Sequence, residues 1–248
     1  TNYLPNKKYA IRWKLDSTKY SFIDFKGYEA GKKPSEISGK PRLFYDRNKP
    51  FTRKVKFFDT YKADKEIIIP TYYVIPKSEG KIIENLKRNQ IKFKELQSDS
   101  LITVESYKIV DFKTVKNPYE GHYLHFDTQV SSELKTKKFR KGDYLVSTKQ
   151  SGVKFLLETL EPEAVDSYFN WNFFDGILGQ KEYFSDYVFE DTAAELLKTN
   201  KALKTAFELK KASDAKFAED GAAQLDWVYK NSEYYEGSVN QYPIYRIR

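Results

Sequence analysis

Residues 151–190, SGVKFLLETLEPEAVDSYFNWNFFDGILGQKEYFSDYVFE, constrain the fold more than any other stretch of this chain. Val153, Leu156, Leu157 and Leu160 recur at i, i+3, i+4 and i+7, which predicts a helix with one buried face. Ser151 is placed to cap it, and Pro162 to end it or to start the next helix. Then Tyr168, Phe169, Trp171, Phe173 and Phe174 crowd into seven residues. Full burial of one large apolar side chain is worth about 1.5–3 kcal/mol, so this many rings predict a core or an interface, centred on Trp171. Asn170 and Asn172 between the rings are suited to satisfying backbone groups at a sharp turn. The other use of such rings is to stack on a ligand, which makes Trp171, Phe173 and Phe174 the candidate binding residues.

Around this stretch the pattern predicts an α+β protein: a β-rich N-terminal part, then a mixed α/β layered region, then a helical C-terminal third. Tyr9 to Leu15, Tyr20 to Phe25, Arg42 to Asp46 and Val55 to Phe58 read as strands. Glu29 to Pro41 reads as a Gly-, Pro- and Lys-rich loop, and Pro50 as a break between strands. Near residue 70 the character changes, dividing a β-rich connecting segment or small β domain (1–70) from a mixed α/β accessory domain (71–248). In the second part, Tyr72 to Ile75, Ile91 to Leu96, Leu101 to Val110, Gly121 to Val130 and Asp143 to Thr148 are expected strands. Ser78 is expected to cap a helix carrying Ile82, Ile83 and Leu86. The faces Phe189/Ala193/Leu196/Leu197, Leu203/Ala206/Phe207 and Leu225/Val228/Tyr229 predict helices, and Tyr242 to Ile247 a last strand.

The net charge of +8 is unevenly spread. Residues 1–70 hold 17 Lys and Arg against 8 Asp and Glu, whereas residues 151–200 hold 3 against 10. The two segments are complementary and are expected to face each other, or a neighbouring domain, around Trp171. A basic excess invites a nucleic-acid reading. Lys, however, outnumbers Arg 35 to 8, and Arg is the better fork for phosphates and base edges. No nucleic-acid-binding motif spacing accompanies it, so nucleic acid is not expected as a partner. The chain has no Cys, hence neither disulfides nor thiolate metal sites. It also has no Met, and Thr1 is expected to follow a cleavage or to mark the edge of a fragment. No apolar run approaches the length of a membrane span.

Catalytic chemistry finds little purchase. The two histidines, His122 and His125 in EGHYLHF, are the weak candidates for metal ligation. A zinc hydrolase site needs three protein ligands, and no third His exists. On a strand, residues three apart also point to opposite faces. Glu158, Glu161, Glu163 and Asp166 read more naturally as a solvated face than as an acid–base pair. Glycine-rich phosphate loops and nucleophile elbows are absent.

A series of phrases then carries a resemblance: YVIP with ENLKRNQIKFKEL, PYEGHYLHF, KGDYLVSTKQ, the long LLETLEPEAVDSYFNWNFFDGILGQKEYFSDYVFE, and the closing NQYPIYRIR. Together with FKGYEAGKKPSEISGKPRLFYDRNKPF upstream, they resemble the C-terminal, non-catalytic region of large bacterial zinc carboxypeptidases of the carboxypeptidase A-like family. The resemblance implies a catalytic domain N-terminal to this region. There it places a His-x-x-Glu zinc motif, a further His, a substrate-binding Arg and a general-base Glu. None of these has a counterpart here, so it implies no catalytic residue and no cofactor in this chain, with zinc confined to the absent domain. The implied partners are that peptidase domain and peptide substrate, in a periplasmic, outer-membrane-associated or secreted setting. The alternative is a stand-alone peptide- or glycan-binding module using the Tyr168–Phe174 rings.

Overall fold

The structure is a computed structural model describing residues 4–248; Thr1 lies outside them. Strands account for 39% of the chain and helices for 25%, with strands dominating the N-terminal part and helices the last third, so the fold is α+β. The chain forms two units, Lys8–Ile68 and Ile69–Arg248 together with the described residues before Lys8.

The first unit is a nested antiparallel ribbon. Strands β1 (Lys8–Leu15), β2 (Ser21–Pro34), β3 (Pro41–Phe57) and β4 (Tyr61–Ile68) pair outermost with outermost and innermost with innermost. The register runs Lys8↔Ile68 to Leu15↔Tyr61 and Ser21↔Phe57 to Pro34↔Pro41. The expected loop Glu29 to Pro41 is instead strand as far as Pro34, and only Ser35–Lys40 turns. Ser35 closes that turn, its hydroxyl accepting from the Ile37 and Ser38 amides. Pro50 does not break β3. It sits opposite Tyr28, beside a register shift between Tyr28 and Glu29, where a missing N–H costs no regular ladder bond. Gly27 and Gly31 make room for rings from the opposite strand. A Cβ on either would stand 2.8 Å from Phe51 or Phe44 respectively.

The second unit is built on a six-stranded, wholly antiparallel sheet. Its elements are β5 (Tyr72–Ile75), α1 (Gly80–Arg88), β6 (Lys94–Glu95), β7 (Ser100–Thr114), β8 (His125–Phe139), β9 (Tyr144–Ser147), α2 (Val153–Leu160), α3 (Asp186–Thr199), α4 (Lys201–Ser213), α5 (Ala215–Glu219), α6 (Gly221–Lys230) and β10 (Gln241–Ile247). The strand order is β6-β9-β5-β10-β7-β8, which puts β10 between β5 and β7. One face carries Val74, Val104, Phe139 and Tyr245 as a packed apolar cluster.

Several boundaries differ from those the pattern predicts. The strand expected over Ile91 to Leu96 shrinks to Lys94–Glu95, because the Gln150 side chain takes up the backbone N–H and C=O of Lys92 that a ladder would have used. Gly121 lies in a turn, and β8 starts at His125 and runs on to Phe139 through a polar stretch. Neither α1 nor α2 has a side-chain N-cap, and their capping positions are Glu79 and Gly152 instead of Ser78 and Ser151.

The helical third follows its caps. Asn200, Asp214 and Asp220 each accept a hydrogen bond from the amide three residues on, starting α4, α5 and α6. Phe189, Leu203, Phe207, Phe217, Val228 and Tyr229 bury together to form a separate small core. In α2, Val153, Leu156, Leu157 and Leu160 are all buried, as their spacing predicts. Leu157→Ala should therefore destabilise the protein by roughly 2–5 kcal/mol. A loss below about 0.5 kcal/mol in denaturant titration, the range of a surface substitution, would place this row outside the core. Among the described residues no helix is long and apolar enough to cross a membrane.

Candidate functional site

The hairpin joining β7 to β8 ends in a tight turn. Tyr119 and His122 exchange two backbone hydrogen bonds of 2.9 Å, and Glu120 and Gly121 between them both take positive φ. Two successive positive φ values define the turn that suits the twist of a hairpin, and glycine at the second position relieves the strain. This turn holds the Tyr119 and His122 side chains next to the segment that follows α2.

That segment is tied down by its asparagines. Asn170 donates through Nδ2 to the Ala164 carbonyl at 2.8 Å, and its Oδ1 accepts from the Thr128 hydroxyl at 2.7 Å. Its own carbonyl accepts from the His125 amide at 2.8 Å. Asn172, at φ 64°, donates to the Tyr123 carbonyl at 2.8 Å. The two residues therefore do what their position between the rings suggests, fixing a bend and locking it to the hairpin.

The ring cluster divides into a base and a platform. Phe169 is fully buried, packed edge-on against Phe112 with centroids 5.5 Å apart. Phe174 is also buried, against Tyr242 at 5.2 Å, which takes it out of reach of a ligand. Tyr168 is buried and meets Phe173 at 5.0 Å. Outward of this base lie half-buried Trp171 and His122, together with exposed Phe173, Tyr119 and Tyr123. His122 stacks parallel to Phe173 at 6.4 Å and meets Trp171 edge-on at 5.5 Å, and Tyr119 lies 6.4 Å from Trp171. Of the three candidate binding residues, Trp171 and Phe173 stand on the platform and Phe174 beneath it. The anchor of the base is Phe169, with Trp171 above it.

The histidines separate in the same way. His122 belongs to the platform. His125 is buried between Phe112 and Phe169, at 4.6 and 5.1 Å. Its Nε2 lies 3.0 Å from an Asp175 carboxylate oxygen and its Nδ1 2.9 Å from the Thr114 hydroxyl. A neutral imidazole satisfies both partners when Nε2–H donates to Asp175 and Nδ1 accepts from Thr114. Hydroxyl, imidazole and carboxylate thus stand in line, but both ring nitrogens are engaged and the ring is enclosed. The arrangement fastens the end of β7 to the 3-10 turn Asp175–Ile177. Among the described residues no group of three or more His, Asp or Glu is placed to hold a metal ion.

A second polar constellation corrects the reading of Glu161 as part of a solvated face: its carboxylate is buried and paired with Arg246. Arg246 on β10 is neighbour to Tyr73 on β5 and Glu105 on β7, and all three are buried. Its guanidinium lies 2.6 Å from a Glu105 oxygen and 3.0 Å from a Glu161 oxygen, and it also donates to the Tyr107 hydroxyl. The Tyr73 hydroxyl donates to Glu161 at 2.5 Å, and Arg248 reaches Glu105 from a half-exposed position. Burial, with Glu161 adjacent, pushes the Tyr73 and Tyr107 hydroxyls well above the ordinary phenol range. Burial also raises Glu161, against the pull of Arg246, while the surrounding carboxylates keep Arg246 protonated. The available signal was a single Arg inside the apolar run YPIYRI, facing a strand that carries Glu105 and Tyr107.

Comparison of the chain with protein-family models, with curated proteins and with solved structures returned no match.

Proposed function

We propose that this chain is the accessory, non-catalytic C-terminal region of a zinc carboxypeptidase-like protein, packing against an N-terminal peptidase domain and positioning it. The motif resemblance supports the setting: a bacterial cell-envelope or secreted protein whose zinc belongs to the peptidase domain. The observation that carries an accessory role is the platform itself. Tyr119, His122, Trp171 and Phe173 present ring surface to solvent from a base fixed by Asn170, Asn172 and His125. Exposed rings on a rigid support are the composition of an interface anchor. The test is co-expression with the polypeptide encoded immediately upstream. A stable complex that Trp171→Ala weakens at least tenfold, about 1.4 kcal/mol, supports the reading. An upstream segment without a His-x-x-Glu motif, or a complex indifferent to Trp171, overturns it.

The second reading is a stand-alone peptide- or glycan-binding module, favoured by the side-by-side placement of Trp171, Phe173 and His122. Titration with soluble glycans and with proline-rich peptides, followed by tryptophan fluorescence, separates it from the first. Saturable binding that Phe173→Ala removes would favour the module. No response to either ligand class would eliminate it.

A further inference from the structure

Strands β2 and β3 form a two-stranded sheet. Such a hairpin is marginally stable at best in water without further support. This one nevertheless leaves Phe22, Phe25, Leu43, Tyr45 and Phe57 exposed, and Ile37 at its tip is 98% exposed. Lys32, Lys33, Lys40 and Arg42 flank that tip. The unit Lys8–Ile68 holds 16 of the 43 Lys and Arg and 8 of the 35 Asp and Glu, a balance of +8 that equals the net charge of the whole chain. Open apolar surface of this extent, set among basic groups, marks an interaction site for something acidic.

The other unit carries a surface of the opposite character. A groove of about 450 Å³ runs between α3 and α6, lined by Ala193, Leu197, Leu225 and Val228, with Asp186 and Glu190 also lining it. Along α3 and the residues before it, Tyr183, Val188 and Asp191 are exposed, and Tyr187 is 89% exposed.

We propose that the ribbon tip of one copy of this chain docks in the α3–α6 groove of a second copy. Ile37 sits on the apolar lining, and Lys32, Lys33, Lys40 and Arg42 meet Asp186, Glu190 and Asp191. The occupant follows from complementarity: an exposed apolar side chain, with Glu36 beside it and four cations flanking the turn, fits an apolar groove edged by carboxylates. The contact is heterologous, one copy giving its ribbon and the next its groove, so it propagates into a ring or an open filament.

Sedimentation velocity on the full chain over a range of concentrations tests this. The wild-type chain should self-associate, and less so at high salt, where the Debye length falls from about 10 Å at 0.1 M to about 3 Å at 1 M. Ile37→Asp and Glu190→Lys should each abolish the larger species. Both replace lining or exposed residues, and an unchanged circular dichroism spectrum confirms that the fold is retained. Mixed together, the two variants should form a one-to-one dimer and nothing larger, because one keeps an intact groove and the other an intact tip. A wild-type chain that stays monomeric overturns the proposal, including the case in which it binds phosphatidylserine vesicles instead. Association that survives both substitutions, or a mixture that fails to recombine, overturns it as well.

Discussion

Arg246→Ala should lower the unfolding free energy by roughly 3–5 kcal/mol, the cost of removing one partner from a buried ion pair and leaving the others uncompensated. Arg246 is the guanidinium between Glu105 and Glu161, and both carboxylates lie in the interior. Arg248 is only half-buried and already occupies Glu105, so it is poorly placed to serve Glu161. The deficit should depend on pH with a definite sign. Burial already raises Glu161 above its ordinary value of 4.5, and without Arg246 it rises further. The folded variant then binds more protons than the unfolded chain, so its stability falls as pH rises above 4.5 and recovers at more acid pH. Denaturant titrations of wild type and variant at several pH values check this. A deficit that is constant with pH would show that Glu161 is not the group left uncompensated. A deficit near zero would show that the cluster contributes no more than well-packed apolar residues would.

Phe169→Ala should cost roughly 3–5 kcal/mol, within the range for emptying a large buried aromatic site. The ring is enclosed by Phe112 and His125, and its loss also loosens the clamp through Asp175. Phe173→Ala should cost about 1 kcal/mol or less, since that ring is 37% exposed and lies on the platform. Midpoints of urea unfolding distinguish the two. Comparable losses at both positions would mean that base and platform are one packed unit, with no surface set aside for a partner.

What the amino-acid pattern reveals follows from how each element is buried. The row Val153, Leu156, Leu157 and Leu160 is legible because a helix half in the core must repeat its apolar residues at helical spacing. The ribbon strands are harder to bound because neither face of β2 or β3 is fully covered, so Lys and Phe share both faces and the usual alternation fails. The same holds for the outer end of β8, where residues 131–138, polar except for Leu134, pair with β7 at the edge of the sheet. At the site, proximity in sequence joined Trp171 to Phe173 and His122 to His125. Only the fold shows that His122 goes with Trp171 and Phe173, whereas His125 goes inward with Phe169. The Arg246 cluster was the least legible. Its members come from β5, β7, β10 and the end of α2, and no local spacing announces a contact among residues 73, 105, 161 and 246.

The position of β10 bears on how the protein is made. It is the last strand of its sheet to leave the ribosome, yet it lies between β5 and β7, which pair with it and not with each other. Until residues 241–247 emerge, β5 and β7 each present an open edge, and Glu105 and Glu161 wait without Arg246. The β7–β8 hairpin and the α3–α6 helices rest on local contacts and are free to form during synthesis. Completion of the sheet therefore waits for residues 241–247, and a nascent chain stalled before residue 241 would be the species most in need of a chaperone.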